Sequence, residues 1–232
     1  MNAPSAIELF HVWDTYARVI TGDHMFHREL GAGVHAVLAE RFAPRPFSVL
    51  DLGCGDAATL TGILRAFQVA RYRGVDLSEG ALAVARRNLE TLGCPFTLQH
   101  GDMCEEIAAS AEPVDVLHAS YALHHVSRER KEAFFRDAAR KLAPGGLFVL
   151  IDLVREEGQT LDAYHRAYTA WVRATMASLA PEEHDAVCVH AVQNDFPEPW
   201  TALELLANDA GLHARSTLAP HPWHRLMVFE AR

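Results

Sequence analysis

The chain has 232 residues, of which 50% are hydrophobic and 22% are charged. This composition supplies enough apolar surface for a sizeable core, and it excludes a disordered tail or a collagen-like repeat. Lysine and arginine together number 21 against 30 aspartates and glutamates, which gives a formal net charge of −9 at pH 7. A chain this acidic is a poor match for a polyanion, so we expect no nucleic-acid partner.

The cysteines and the hydropathy pattern predict where in the cell the protein is found. The four cysteines, at positions 54, 94, 104 and 188, form no CxxC pair and no closely spaced framework, so we expect reduced thiols in a cytoplasmic protein. The first residues lack a basic leader, and no apolar run reaches the roughly 18 residues of a membrane-spanning helix. We therefore expect neither a signal peptide nor a membrane partner.

The hydrophobic period changes along the chain in an ordered way. Helical spacing dominates residues 5–42 and ends before Pro44. Strand-like and helix-like runs then alternate. The predicted strands are 47–52, 72–77, 96–100, 114–119 and 147–153, and the predicted helices are 57–69, 79–92 capped by Ser78, and 128–142 opened by Ser127. A Pro-Gly-Gly turn at 144–146 precedes the fifth strand.

Residues 155–199 interrupt this alternation with two helical pieces, the second of which follows Pro181. The first piece carries an aromatic stripe, which is typical either of a core face or of a substrate pocket. The members of this stripe are Tyr164, Tyr168 and Trp171.

The remaining residues predict a helix at 199–210, ended by Gly211, and two strands at 212–218 and 224–230. The connection between these strands is so short that they must pair antiparallel. The whole pattern predicts an α/β fold: a Rossmann-like, seven-stranded, mostly parallel sheet with the last strand antiparallel and helices on both faces. Its ligand site is expected at the carboxyl ends of the central strands.

We expect one domain without room for a second. Its parts are an N-terminal helical cover, a cofactor-binding core, a helical lid insertion, and a closing helix with strands, at 1–45, 46–154, 155–199 and 200–232.

A glycine-containing loop marks the first candidate site. In SVLDLGCGDAATL, Gly53 and Gly55 lie between a predicted strand and a predicted helix, where glycines let the backbone turn tightly and approach a ligand. Nicotinamide, flavin and adenosyl cofactors all use such a loop. Asp51, two residues before the first glycine, would repel a pyrophosphate but suits a ligand that carries an ammonium or a sulfonium group.

Two further acids follow the next two strands. Asp76 ends the second strand, where its carboxylate can accept both hydroxyls of a ribose. Asp102 follows the third strand and can accept from an exocyclic amine, while Met103 offers a soft surface to a flat base.

Together these segments resemble the class I S-adenosylmethionine-dependent methyltransferases, and the small-molecule branch in particular. Five matching segments stand in the family's order over about residues 46–154: VLDLGCG, GVDLS, GDM, VDVLHASYALHHV and KLAPGGLFVL. The resemblance implies S-adenosylmethionine as the cofactor. It implies that the methionine end is held by Asp51, Gly53 and Gly55, the ribose by Asp76 beside Leu77, the adenine by Asp102 and Met103, and the methyl edge by His118 to Ser120.

Several features of the sequence leave their roles open. The family usually has a third glycine where Ala57 stands, so the backbone there is less free to take a positive φ. Before the first strand, Arg28 is a candidate partner of the cofactor carboxylate and Tyr16 a candidate neighbour of the methyl group, unless these residues only flank a core stripe. His124 is a candidate general base, although packing also explains a Leu-His-His-Val segment.

We expect no metal ion. The segment after the fourth strand lacks the aspartate with an adjoining acid or amide that a magnesium-dependent catechol enzyme has there. The histidine pairs at 24 and 27 and at 221 and 224 have no cysteine or acid at a spacing that completes a recognisable site.

The residues that follow the fourth strand restrict the classes of methyl acceptor that we expect. They read His118-Ala119-Ser120-Tyr121 rather than the Asn/Asp-Pro-Pro-Tyr/Phe of enzymes that methylate exocyclic or amide nitrogens, so DNA adenine and protein glutamine are disfavoured. The lid holds eight acidic and three basic residues, which disfavours a polyanionic acceptor. We predict in-line methyl transfer to an oxygen or nitrogen of a small-molecule substrate.

Two alternatives stay open. One is an S-adenosylmethionine-binding protein without turnover that serves as a partner or regulator. The other is a nicotinamide-dependent oxidoreductase, although the chain lacks Tyr-x-x-x-Lys, because Ser127 and Asp137 stand four residues before its two lysines.

Overall fold

The computed structural model of the protein describes residues 18–109 and 112–231. Tyr16 lies outside the described residues. The strands are β1 (Phe47–Leu52), β2 (Val69–Asp76), β3 (Phe96–His100), β4 (Val114–Ser120), β5 (Leu142–Leu153), β6 (Leu212–His221) and β7 (His224–Ala231). The helices are α1 (His27–Phe42), α2 (Ala58–Leu64), α3 (Glu79–Leu89), α4 (Met103–Ala109), α5 (Arg128–Lys141), α6 (Leu161–Thr175), α7 (Pro181–Asn194) and α8 (Trp200–Asp209), with short 3₁₀ turns at Glu90–Leu92 and Leu123–His125.

The seven strands form one sheet in the order β3-β2-β1-β4-β5-β7-β6. The pairs from β3 to β5 are parallel, and β7 runs antiparallel to both β5 and β6. The predicted fold class is therefore confirmed. The strand order reverses between β1 and β4, so the carboxyl ends of these two strands form the crevice where a doubly wound sheet binds its ligand.

Both faces of the sheet are buried, as expected of parallel strands that carry helices on both sides. Val149 and Ile151 of β5 belong to one core cluster, while Phe148 and Leu150 belong to the other. Successive side chains of a strand point to opposite faces. The continuous apolar run in β5 thus reflects a strand that is buried on both faces of the sheet.

Three predicted boundaries differ from the structure. The helix predicted at 57–69 ends at Leu64, because β2 already begins at Val69, which pairs with Phe47 of β1. The helical region predicted at 5–42 is interrupted at residues 22–26, where Asp23 and Phe26 adopt positive φ. The Pro-Gly-Gly turn bulges out of β5, since the β4–β5 register passes from Val114↔Leu142 to Val116↔Leu147.

Helix α4 was not predicted, because the stretch between the third and fourth strands was expected to be a loop, but other elements agree with the sequence pattern. Ser78 caps α3 by accepting from the backbone N–H of Ala81, and Ser127 caps α5 by accepting from that of Arg130. Pro220 lies in β6, which forms an edge of the sheet and so tolerates a residue without an N–H. Within the described ranges, none of the helices is both long and apolar enough to span a bilayer.

Truncation of a central side chain tests this core. Leu150 is fully buried in β5, whereas Leu205 of α8 is 54% exposed. We expect Leu150→Ala to lower the free energy of unfolding by about 2–5 kcal/mol, because it loses burial and leaves a cavity. Leu205→Ala should change it by less than about 0.5 kcal/mol. Urea unfolding measures both, and equal losses in the two variants would contradict the assigned burial.

Candidate functional site

The loop between β1 and α2 opens onto a cleft at the carboxyl edge of the sheet. Gly53 and Gly55 have φ of 70° and 53°, and Ala57 takes a left-handed φ of 56° as well. Ala57 thus adopts the positive φ at which a side chain costs about 1–2 kcal/mol, so the loop is less free here than it would be with a glycine, as expected. The cleft is lined by Ile20, His27, Asp51, residues 53–60, Ile63, His118, Ser120 and Ile151.

Gly53 is required by shape as well as by φ. A Cβ built on Gly53 would lie 2.5 Å from the Cβ of Ala122 and 3.9 Å from the Sδ of Met103. The backbone of the loop is thus pressed against the segment that follows β4. This close approach forms a cradle that only a residue without a side chain fits.

Asp51 is buried at the end of β1, and both of its carboxylate oxygens are held. The Tyr72 hydroxyl donates to Oδ2 at 2.5 Å, and the Nδ1 of His118 lies 2.7 Å from Oδ1. The three residues come from three adjacent strands, because β1 pairs with β2 on one side and β4 on the other. Burial and the charge of Asp51 raise the pKa of Tyr72, so its hydroxyl remains a donor.

Asp76 joins the two loops that border the cleft. Its Oδ2 accepts from the N–H of Gly55 at 2.8 Å, and its Oδ1 accepts from that of Ser78 at 2.8 Å. Burial raises the pKa of this carboxyl, and the two backbone hydrogen bonds offset part of the rise. Leu77, the next residue, is 68% exposed, which makes it an apolar surface that a ligand at this edge would cover.

Asp102 directly precedes α4, and one of its carboxylate oxygens is hydrogen-bonded. Its Oδ1 accepts from the N–H of Cys104 at 2.8 Å and from Arg130 at 2.7 Å. Burial opposes the charged form, but the bonds from Arg130 and from the backbone outweigh it and lower the pKa of Asp102. No donor among the described residues bonds Oδ2, which leaves that oxygen able to accept from a ligand amine.

Of the residues that the sequence indicated, Asp51, Gly53, Gly55, His118 and Ser120 line the cleft, whereas Asp76, Leu77, Asp102, Met103, Arg28 and His124 lie outside its lining. Arg28 is paired with Asp23 at 3.0 Å, and its side chain is 82% exposed. His124 is buried beyond the end of β4, with its Nδ1 2.5 Å from Oδ1 of Asp152. His27, the neighbour of Arg28, lines the cleft in its place, and its Nδ1 is buried without a hydrogen-bond partner in the described chain.

Three residues of this site carry no signal that we recognised in the sequence. Tyr72 and Arg130 reach the acids through strand register and helix packing. His27 stood out in the sequence only as one of the histidine pair at 24 and 27, and no role in a cleft was inferred for it.

The donor set fits a cationic nucleoside ligand. A buried, doubly held carboxylate suits a positive charge, the acids after β2 and β3 suit a ribose and an amine, and the glycine cradle admits a close backbone contact. These are the features of an adenosyl sulfonium site.

Comparisons with known proteins agree. A family model described as a methyltransferase domain matches residues 49–146. A release factor glutamine methyltransferase of Caulobacter vibrioides is 30% identical over 177 residues, which are 66% of this chain and 60% of that relative. An uncharacterized methyltransferase of Geobacillus kaustophilus is 26% identical over 90% of this chain and 88% of its own length. The match over residues 49–146 supports the predicted resemblance to the class I S-adenosylmethionine-dependent methyltransferases.

A solved structure shows the same fold. The DhpI–SAH complex superposes with a TM-score of 0.59 at 17% identity, over 94% of this chain and 93% of that chain. The fold likeness and the family match support the predicted methyltransferase with S-adenosylmethionine as its cofactor. The nicotinamide-dependent oxidoreductase is therefore set aside. The chain spans about 60% of the length of the Caulobacter relative.

A glycine pair tests the cradle. Gly53→Ala forces a side chain onto Ala122 at a φ of 70°, and we expect at least about tenfold weaker binding of S-adenosylhomocysteine with about 1–3 kcal/mol lower stability. Gly62→Ala is the matched control, because it lies in α2 with no atom within 4 Å of its new Cβ. Calorimetry and urea unfolding check both variants. Equal affinity in Gly53→Ala and the wild type would exclude the cradle.

Proposed function

We propose that this protein transfers the methyl group of S-adenosylmethionine to an oxygen or nitrogen atom of a small-molecule acceptor. The observation that carries the small-molecule part is an aromatic cluster next to the cofactor cleft. Its rings come from the start of α1, from helix α6 of the lid, and from the hairpin that joins β6 to β7. They are Phe26, Tyr164, Tyr168, Trp171, His221, Trp223 and His224.

The aromatic cluster is continuous with the cofactor cleft. The ring of Tyr121, which directly follows β4, lies 5.3 Å from that of His27 and 5.8 Å from that of His224. The Tyr121 hydroxyl lies 3.1 Å from the Nδ1 of His224 and also donates to the carbonyl of Met25. A molecule bound against these rings would therefore lie beside the residues that border the cleft.

Unsatisfied polar atoms in and beside this cluster support the proposal that it binds a ligand. Buried polar atoms are nearly always hydrogen-bonded, and one left without a partner costs about 1–3 kcal/mol. Here several such atoms, without a hydrogen-bond partner among the described residues, come together in one place: His27 Nδ1, Tyr164 Oη, His221 Nδ1, Trp223 Nε1 and His224 Nε2. Tyr164, Tyr168 and His224 are buried, so an acceptor would meet this cluster at its partly buried rings, Trp171 and Trp223.

We assign cofactor contacts to the residues that the sequence and the family resemblance indicate. Asp51, fixed by Tyr72 and His118, would hold the positively charged methionine end together with the backbone of Gly53 and Gly55. Asp76 would hold the ribose beside Leu77, and Asp102 with Met103 would hold the adenine. When bound, the cofactor supplies a methyl group on a cationic sulfur, which an acceptor takes by in-line displacement.

His27 is our candidate for the group that takes the acceptor's proton. It lines the cleft, and its Nδ1 has no partner in the described chain. Burial lowers the pKa of His27, so the imidazole is neutral at pH 7 and can accept a proton. His124, the base suggested by the sequence, lies outside the residues that line the cleft. The Nδ1 of His124 is instead hydrogen-bonded to Asp152.

The acceptor is not expected to be a protein glutamine. The Caulobacter relative is named for that substrate, but this chain has His118, Ala119 and Ser120 before Tyr121 where glutamine methylation favours Asn-Pro-Pro-Tyr. The aromatic cluster instead fits a compact, partly apolar acceptor that is neutral or cationic.

Removal of the ribose partner tests the cofactor assignment. We expect Asp76→Asn to weaken S-adenosylhomocysteine binding by about 10- to 100-fold, because hydrogen bonds to a charged group contribute about 1.5–3 kcal/mol. Asp209→Asn, an exposed position at the end of α8, is the control and should bind normally. Calorimetry of both variants decides, and unchanged affinity in Asp76→Asn would refute the assignment.

Turnover tests the proposed reaction. A panel of small hydroxyl and amine compounds is assayed by the release of S-adenosylhomocysteine. For an acceptor that turns over, we expect His27→Asn to lower kcat by about 10²- to 10⁴-fold, while His35→Asn, exposed on α1, leaves it unchanged. Because the base must be neutral, the wild-type rate should fall as the pH drops through a pKa below 6.5. Cofactor binding without turnover on any compound would instead favour the alternative that this protein binds S-adenosylmethionine without turnover and serves as a partner or regulator.

A further inference from the structure

A second cluster of titratable groups lies away from the cofactor cleft. It contains His124 and His125, in the 3₁₀ turn after β4, together with His190 and Asp195 at the carboxyl end of α7. We call it the histidine–aspartate cluster. The backbone N–H of Phe196 donates to the carbonyl of His124 at 2.8 Å, so the lid and the end of β4 meet at this point.

Asp195 is the centre of the cluster. Its side chain is buried, and its Oδ1 receives no well-aligned hydrogen bond in the described chain, although, against the effect of burial, the close approach of Asp195 raises the pKa of His125. Three imidazole nitrogens nevertheless surround that oxygen: His125 Nδ1 at 3.2 Å, His124 Nε2 at 3.6 Å and His190 Nε2 at 3.9 Å. A buried carboxylate oxygen without a hydrogen bond is costly unless a cation neutralises it.

The tautomer of His124 is fixed by Asp152. The Nδ1 of His124 lies 2.5 Å from Oδ1 of Asp152, and a carboxylate can only accept, so Nδ1 carries the hydrogen. In the neutral ring, Nε2 then holds a lone pair that faces Oδ1 of Asp195. The Nε2 lone pair and the carboxylate oxygen repel each other, but a cation between them would bind both. A carboxylate behind the far nitrogen of a histidine is the usual arrangement around metal-bound imidazole.

We propose that the histidine–aspartate cluster binds a divalent transition-metal ion of the zinc type. His124, His125 and Asp195 supply one ligand atom each, and these atoms all lie within 4.8 Å of one another. Ligand atoms of a tetrahedral zinc site stand about 3.4 Å apart, since each is about 2.1 Å from the metal. His190 is placed to complete the set, and Asp152 positions His124.

The donor types select the class of ion. Imidazole nitrogens with one carboxylate suit zinc and its transition-metal neighbours, whereas magnesium and calcium prefer oxygen donors throughout. The side chains of His125 and His190 are 37% and 57% exposed, so an ion can enter from solvent. The Nδ1 of His125 also bonds the carbonyl of Asn194 at 3.1 Å, and an ion would displace the proton in that bond.

The site would have a structural consequence, because its ligands belong to different parts of the fold. His124 and His125 follow β4 of the sheet, whereas His190 and Asp195 belong to the lid. An ion held by both groups would clamp the carboxyl end of α7 onto the sheet. It shares no residue with the lining of the cofactor cleft, so metal binding and cofactor binding can be measured separately.

Titration of the chelator-treated full chain with zinc chloride tests this inference. We expect one Zn²⁺ per chain, a higher Tm with the ion bound, and visible absorption typical of tetrahedral coordination when Co²⁺ replaces Zn²⁺. Asp195→Asn should lower the affinity by at least about 100-fold. Asp152→Asn should lower it by about 10- to 100-fold, because it loosens His124 without removing a ligand.

Matched controls decide the outcome. His35→Asn and Asp209→Asn, both exposed and remote in the sequence, should bind Zn²⁺ normally, and every variant should bind S-adenosylhomocysteine normally. If Asp195→Asn fails to fold, His190→Ala replaces it. His190 is more exposed, so removing its imidazole should lower the Zn²⁺ affinity by about tenfold without disturbing the core. Less than one Zn²⁺ per chain would overturn the proposal. So would one ion retained equally by His125→Asn, His190→Ala and Asp195→Asn.

Discussion

A buried carboxylate holds the ligand edge of the sheet together. Asp51 is the last polar group of β1 before the glycine loop, and an ionised carboxylate in this position needs partners for both oxygens. Tyr72 of β2 and His118 of β4 provide them. The three central strands are thereby tied at the end where the loop begins. The glycine loop leaves this anchored strand end, its Gly55 N–H donates to Asp76, and the cleft lies beside it.

Much of this architecture could be predicted from the sequence because its determinants are local. Strand runs and capping serines each depend on a few neighbouring residues, and Ser78 and Ser127 cap α3 and α5 as predicted. The parallel order then places Asp51, Asp76 and Asp102 at one edge without further information. Boundaries were less certain, since pairing with β1 draws Val69 into β2 and overrides the helical pattern before it.

The side-chain partners could not be predicted, because they depend on register and packing across long separations. Tyr72 and Arg130 reach their acids only after strands and helices have been assembled. In the segment before β1, the sequence indicated Arg28, but α1 begins at His27 and presents that residue to the cleft. The histidine–aspartate cluster combines the turn after β4 with the end of α7, about 70 residues apart. No metal-ligand spacing reveals such a group.

The antiparallel strand β7 has a consequence for how this fold can diversify. Because β7 runs against its neighbour, its first residue, His224, pairs with Leu153 at the carboxyl end of β5. The hairpin between β6 and β7 therefore arrives at the edge where the parallel strands end, and it carries Trp223 and His221 with it. A parallel strand would have presented its amino end to the opposite edge. Under the proposed function, substitutions in this short hairpin tip would change acceptor contacts while the strands beside the cleft stay unchanged.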